Sequence, residues 1–406
     1  MHNYDIIVAG AGLAGKVAAA VLGTTGYRVA CCDPIGNANA GSRNRDNRLT
    51  ALLKPAMDIL RMADVWDAVC DAALPLQSLR VIDSSSGVPG TATSHDFESS
   101  DIGEECFGWT VLNSSLHDIL DRRISEIDNA VMLHGNGVNR TITRRNDVVC
   151  TLSGGGRAFA RLLVAADGRN SAVREQVGVS LVKTPGTTSA LSFNLHHSTR
   201  HDAVATEIYG SGESITLVPF PGADNQNESS VVWVMDSVSA NRLNLKDDSE
   251  FELRLQEIAR GRFGDVVAAS ARILWPVSGQ IALQFGTERV VLVGEAAHVL
   301  SPVGAQGFNT TLSDVAVLAA SIAKCGQDPG SRQVVGEYSR IRRADALLRL
   351  CATDALGSAG TTRSPLIQQA RKMCLAALHR NDRMRKRLMT FGMGGPQSVG
   401  PLPRTE

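Results

Sequence analysis

The sequence predicts an α/β protein, in which a Rossmann-type dinucleotide-binding domain is interrupted by an inserted antiparallel sheet and followed by a helical tail. Three stretches carry that expectation. The chain begins with a short apolar strand, Tyr4 to Ala9, that runs directly into Gly10-Ala11-Gly12-Leu13-Ala14-Gly15 and an Ala-rich helix. Far downstream, the β-branched-rich run Val290 to Val293 breaks at Gly294-Glu295 and passes through a Pro/Gly loop into a second apolar helix. Between them, from Ser189 to Asp236, the hydrophobic pattern changes to period two.

At the N-terminus, Gly10 permits a tight turn, Gly12 lets the backbone approach a pyrophosphate, and Gly15 lets the helix pack on the strand. Leu13 and Ala14 complete that turn. Val17, Ala18, Val21 and Leu22 keep helical spacing until Gly23 and Gly26, and Arg28 to Cys32 then reads as a second strand closing on Asp33. Asp33 lies 21 positions after Gly12, where a carboxylate can accept hydrogen bonds from a ribose. The segment Asp46-Asn47-Arg48 leads into a helix perturbed at Pro55. By its position alone Arg48 reads as a solvated loop arginine beside Arg43 and Arg45, with reach to a phosphate or the nicotinamide cofactor as the alternative.

A short strand and a helix are expected from Phe107 to Leu120, then hairpin-like strands around Val131 to Leu133, Val148 to Leu152 and Phe159 to Ala166. The last ends at Asp167-Gly168-Arg169-Asn170-Ser171, with Arg174 following. In the period-two region Gly210-Ser211-Gly212 supplies a turn, and Phe220 and Trp233 are candidates for the apolar lining of a substrate cleft or, equally, for plain sheet core. A helical segment from Glu250 to Phe263 follows, and Trp275-Pro276 returns the chain to the first domain. Phe308, Leu312, Val315 and Ala319 form one stripe of the late helix, whose start, preceded by Gly304, Ala305 and Gly307, offers backbone N–H groups to a ligand carrying negative charge. The boundaries implied are 1–182 and 276–330 for the two parts of the dinucleotide domain, 183–275 for the sheet and 331–406 for the helical tail.

Composition narrows the function. Lys+Arg and Asp+Glu both number 41, which argues against nucleic acid as a partner. The eight Cys show neither a C-x-x-C pair nor zinc spacing, so no metal is expected and they read as buried reduced thiols of a cytoplasmic protein. No signal-peptide pattern, no charge-free run of about 18 apolar residues and no repeat period is present. Arg371 to Arg387 is strongly basic and interleaved with apolar residues, a pattern that suits a helix lying on anionic lipid, a partner-docking helix or a solvated face.

Gly10-Ala-Gly-Leu-Ala-Gly15, Ala165-Ala-Asp-Gly-Arg-Asn-Ser171 and Gly294-Glu-Ala-Ala-His-x-x-x-Pro-x-Gly-Ala-Gln-Gly-x-Asn-x-x-x-x-Asp314, in that order, resemble the class A flavin monooxygenases, whose fold is that of p-hydroxybenzoate hydroxylase. The resemblance is closest to the ubiquinone-biosynthesis hydroxylase family. Supporting it are Asp46, Arg48 and Ala51, then Tyr338, Arg342, Arg343 and Asp345, and Gly392-Met393-Gly394. It implies that Gly10, Gly12 and Gly15 hold an FAD pyrophosphate and Asp33 the adenosine ribose, with Arg48 along the phosphates. It further implies that Asp167 and Gly168 serve both FAD and the nicotinamide of NAD(P)H, and that Gly294 and Glu295 meet the ribityl chain. Pro302, Gly304 and Gln306, with Gly307, Phe308 and Asn309, would line the flavin ring. The family commonly has Glu where this chain has Asp33 and Asp where it has Glu295, and each exchange keeps the carboxylate. His298 is expected to hold the turn, with no side-chain base assigned.

The activity implied is hydroxylation of a polyprenylated phenol by a flavin C4a-hydroperoxide formed from NAD(P)H and O2. The same resemblance suggests contact with the inner face of a membrane or with a quinone-biosynthesis complex. Rival readings are a hydroxylase of a small soluble aromatic, a flavin reductase acting on prenyl double bonds and a non-oxygenating flavoprotein.

Overall fold

A computed structural model describes residues 2–36, 48–86, 91–222, 225–259, 261–326 and 328–393. Asp46, Arg43, Arg45 and Gly394 lie outside the described residues. The strand Ile6–Ala9 is wholly apolar and at most 1% exposed, and it runs in the interior of a six-stranded sheet. In spatial order the strands are Gly286–Thr287, Val290–Leu292, Leu162–Ala165, Ile6–Ala9, Val29–Asp33 and Ala130–His134. All neighbours are parallel except the first pair. Strands buried on both faces need helices above and below, so their sequences read as continuous apolar runs. The helices Leu13–Thr24, Asn113–Glu126 and Gln306–Cys325 supply that cover and share one core with the sheet.

Two expectations change here. Val131 to Leu133 joins no hairpin but pairs in parallel with Val29–Asp33 at the sheet edge. Phe159 to Ala166 is two strands, since Arg157–Ala160 belongs to an antiparallel meander with Val138–Thr143 and Val148–Leu152, while Leu162–Ala165 enters the parallel sheet. The break falls at Arg161, where the N–H groups of Arg161 and Leu162 both donate to the Asp5 carbonyl and the chain steps from one sheet to the other. Pro55 likewise starts a helix, Lys54–Met62, at a position where no intrahelical N–H is needed.

The second sheet has eight strands. Val266–Ala268, Thr188–His197, Glu228–Asp236, Glu213–Pro219, Val204–Tyr209, Ser78–Asp83 and Thr93–Glu98 follow in spatial order, and Ile273–Val277 also pairs with Thr188–His197. Its pairs are antiparallel except that of Val204–Tyr209 with Ser78–Asp83. The strands Ser78–Asp83 and Thr93–Glu98, which fall within 1–182, thus pair into this sheet. One face packs under the helices Ser237–Asn244 and Asp248–Ala259 around Trp233, Phe193 and Phe251. The inward residues alternate as a half-buried sheet requires, and the Trp233 and Phe251 rings lie 6.1 Å apart.

The helix Arg332–Gly360 joins the layers. Near its start the buried Tyr338 hydroxyl donates to the Leu292 carbonyl at 2.6 Å. Toward its end Gly357 packs against Ser301 and Gly360 against the Tyr209 ring. These two glycines are less than one turn apart, about 5 Å along the axis, so the loop after Val299 and the second sheet are held close together. The helices Pro365–Arg380 and Asp382–Gly392 complete the chain's described part. All eight cysteines are free thiols, but Cys70, Cys351 and Cys374 are exposed, contrary to the expectation that all are buried.

Candidate cofactor site and catalytic cleft

The three motifs lie far apart in sequence and meet at one edge of the parallel sheet. Ala9, Ala165 and Leu292 are register partners at the carboxyl ends of three adjacent strands, so the turns that follow them are neighbours. Ligands in open α/β sheets bind at that edge. Gly10 has φ of 98°, and a Cβ there would lie 2.5 Å from the Ala166 carbonyl oxygen. A Cβ on Gly15 would fall on the Gly10 carbonyl oxygen, so helix and turn touch directly. A Cβ on Gly12 would meet nothing, because Gly12 caps the helix Leu13–Thr24 and faces open space. The first turn of that helix carries no acid. Leu13 and Ala14 are its first residues, and backbone N–H groups there suit a pyrophosphate. The arrangement fits FAD.

Asp33 ends the second strand, 3% exposed, and its carboxylate is held at the turn by the N–H groups of Ala11 (2.7 Å) and Ile35 (2.9 Å). A carboxylate at this strand end is an acceptor of the kind a ribose hydroxyl needs. Asp167 caps the short helix Ala172–Gln176, accepting from the Ser171 hydroxyl at 2.5 Å and the Val173 N–H at 3.1 Å. Arg174, 2% exposed, clamps two motifs together by donating to the carbonyls of Ala296 (3.0 Å) and Arg169 (3.2 Å). Sequence reading noted Arg174 without giving it this role. Arg169 and Glu295 form an ion pair at 3.9 Å across the same gap, with the Glu295 side chain 57% exposed toward the edge. Arg48 is exposed at the entry to the strand Leu49–Leu53.

The late motif is held from beneath. Asp314 is fully buried and accepts from the Gly294 N–H (2.9 Å), pairs with His298 Nε2 (2.8 Å) and receives Arg342 Nε (2.7 Å). Burial pushes its carboxyl upward, but His298 and Arg342 outweigh burial and hold it below the usual carboxylate range. Arg342 is itself 0% exposed and also reaches Asp345 at 2.8 Å and the Thr310 carbonyl at 3.1 Å. His298 is therefore engaged in the turn, 3% exposed and stacked near Phe285. Its Nε2 is committed to Asp314.

The helix Gln306–Cys325 begins from Ala305, whose φ of 55° is the left-handed region that a residue with a Cβ rarely adopts. Gly304 and Gly307 are exposed at this start, Pro302 and Phe308 are partly exposed, and the first turn carries no acid. The two amides of the motif face the protein. Asn309 accepts from the Leu53 N–H (2.8 Å) and donates to the carbonyls of Ala51 (2.8 Å) and Ala305 (2.7 Å). Gln306 donates to the carbonyls of Gly304 (2.9 Å) and Gly392 (3.1 Å) and receives Arg349. These side chains shape the loop, leaving exposed backbone to meet a ring. A cleft beside Asn309 is lined by Leu53, Pro55, Ile59, Arg349 and Met393. Arg349 and Pro55 were missed as cleft residues because their neighbours come from three distant segments.

The two aromatic candidates separate. Trp233 is 0% exposed on the helix-covered face, its indole N–H donating to Glu213 at 3.1 Å, so it is core. A packed side chain of that size contributes roughly 3–5 kcal/mol to stability. Phe220 is 7% exposed and lies outside that core, next to the Pro219 carbonyl that accepts from Thr110 of the first domain at 3.1 Å.

Comparison with known proteins agrees with this geometry. A ubiquinone hydroxylase of Rhodospirillum rubrum, UbiL, is 29% identical over 402 residues, covering 98% of this chain and 91% of its own. A ubiquinone hydroxylase of Neisseria meningitidis, UbiM, is 28% identical over 84% of this chain and 73% of its own. In fold, the p-nitrophenol 4-monooxygenase PnpA of Pseudomonas putida superposes with a TM-score of 0.80 at 17% identity, over 98% of this chain and all of that one. Residues 3–350 match the family described as FAD binding domain, a span that holds all three motifs, and the chain belongs to that family.

Proposed function

We propose that this protein is an FAD-dependent monooxygenase that uses NAD(P)H and O2 to hydroxylate the aromatic ring of a polyprenylated phenol in ubiquinone biosynthesis. The observation that carries this reading is the meeting of the three motifs at one sheet edge, with the end of the helix Arg332–Gly360 touching both Ser301 and Tyr209 of the second sheet. Relatives named as ubiquinone hydroxylases support it over nearly the whole chain. Bound flavin supplies the redox and oxygen chemistry, and the protein supplies binding, orientation and exclusion of water.

The turn from Gly10 through Gly12 to Gly15 would hold the pyrophosphate, Asp33 the adenosine ribose and Glu295 the ribityl chain. Arg48, Asp167 and Gly168 lie along the path of the phosphates and the nicotinamide. The start of the helix Gln306–Cys325, with no acid in its first turn, would offer backbone N–H groups to the ring edge of a bound flavin and favour negative charge there. The phenol would lie beside the Pro302–Gln306 loop, where Gln306 meets the cleft residue Arg349. Its prenyl tail places the enzyme at a membrane surface.

Deleting the gene from its host is expected to deplete ubiquinone and accumulate a prenylated precursor lacking one ring hydroxyl, read by mass spectrometry of lipid extracts. Unchanged quinone content together with lost turnover of a soluble phenolic acid would assign the enzyme to soluble aromatics instead.

A further inference from the structure

The helix Pro365–Arg380 is attached largely by polar side chains, with Leu375 packed against the cluster of Val81, Phe97 and Met389. Gln368 donates to the Ser211 hydroxyl at 3.2 Å, Arg371 donates to the buried Asp83 carboxylate at 2.7 Å and lies 4.6 Å over the Tyr209 ring, and Lys372 is 3.8 Å from the same carboxylate. Its outward side carries Leu366, Ala370, Met373 and Ala377, all exposed, at i, i+4, i+7 and i+11. These positions form one stripe along a helix. Leu366 is 84% exposed and Met373 64%. A surface helix ordinarily buries its apolar stripe and shows its polar one, and here Gln368, Arg371 and Lys372 make the anchoring contacts beside Leu375 while a second apolar stripe faces out. The next helix, Asp382–Gly392, exposes Met384, Leu388 and Phe391. Scattered exposed leucines need no explanation, whereas apolar side chains gathered on two successive, contacting helices mark an interaction surface.

Charge selects the occupant. From Arg363 to Met393 there are eight Lys and Arg and one acid, Asp382, in a chain whose formal net charge is zero. Arg380, Arg383, Lys386 and Arg387 are exposed among the apolar residues. A second copy of this face would bring like charge against like. An anionic lipid surface supplies both an apolar interior for the stripe and negative headgroups for the arginines. Among the described residues no helix is long and apolar enough to cross a membrane.

The end of the same helix pair reaches the cleft. Met393 lines it, and the Gly392 carbonyl accepts from Gln306 in the loop assigned to the flavin ring. We infer that the outward face of these two helices docks on an anionic bilayer and sets the mouth of the cleft against it, so that a lipid-borne phenol enters from the membrane. The surface is read from exposure and charge alone, and the entry of substrate through it rests on the proposed hydroxylase function.

The test is flotation of the FAD-loaded protein with vesicles of phosphatidylglycerol and phosphatidylcholine, against vesicles of phosphatidylcholine only. Binding is expected to the anionic vesicles and to weaken in high salt. Combined R383E, K386E and R387E, or combined L366Q and M373Q, should each lower it by about tenfold or more while the flavin absorbance is kept. Absent or salt-insensitive binding, or variants that bind as the parent does, would overturn the inference. So would a lipid-free dimer broken by L366Q and M373Q, which assigns the face to a second copy. Because flotation needs no turnover, lipid binding without hydroxylation would sink the hydroxylase reading and leave the docking face standing.

Discussion

Gly12→Val is expected to abolish FAD binding while the apoprotein stays folded. A Cβ at Gly12 meets no protein atom, and the backbone there, φ −67° and ψ 178°, is open to any residue. Stability of the apoprotein should therefore change by no more than about 0.5 kcal/mol. The side chain would instead occupy the space before the helix Leu13–Thr24, where a pyrophosphate meets backbone N–H groups. Losing two such charge-assisted hydrogen bonds should weaken FAD roughly a hundredfold or more. Gly15→Val is the contrast, since its Cβ would strike the Gly10 carbonyl and must also lower apoprotein stability. Titrating FAD by flavin fluorescence beside urea melts of each apoprotein separates the two. Equal loss of stability in both variants would show that Gly12 acts in packing and not in a cradle.

The second large effect lies beneath the late motif. Asp314→Ala leaves Arg342 buried without its main counterion and leaves His298 and the Gly294 N–H without their acceptor. Breaking a buried pair by removing one partner costs about 3–5 kcal/mol, a large share of a typical stability. Urea denaturation is expected to show that loss. The native carboxyl is held below its unfolded value of ~3.9, so its contribution is complete above that pH and fades as pH falls through the native value. Asp314→Asn should be less stable than the parent at neutral pH, and the gap should narrow in acid. A gap independent of pH would show that the ion pairs are not its source.

Much of this organisation is legible in the chain itself, for reasons that differ by element. The turn at Gly10 to Gly15 and the strand ending at Asp33 are local, so spacing alone fixes strand, turn, helix and acid. The late helix is equally local. Non-local pairing is where reading fails. Nothing in Ser78–Asp83 says that it pairs in parallel with Val204–Tyr209, more than a hundred residues away. Nor does the run from Phe159 to Ala166 show that Arg161 divides it between two sheets, since both halves are apolar. At the site, motif residues were found by identity, but identity does not tell contact from support. Asn309 and Gln306 turn their amides into the protein, and Arg174 and Asp314 hold loops that others present. The helix Pro365–Arg380 was visible only as a basic stretch, because which stripe faces inward depends on Asp83 and Tyr209 of a distant sheet.

Hydroxylation of this kind places one oxygen atom of O2 on the ring of a prenylated phenol. Purified holoprotein supplied with NAD(P)H, a short-chain prenylated phenol and 18O2 should give a product whose new ring hydroxyl carries 18O. Product formed without label, or NAD(P)H consumed at the same rate with and without the phenol and no hydroxylated ring, would contradict it.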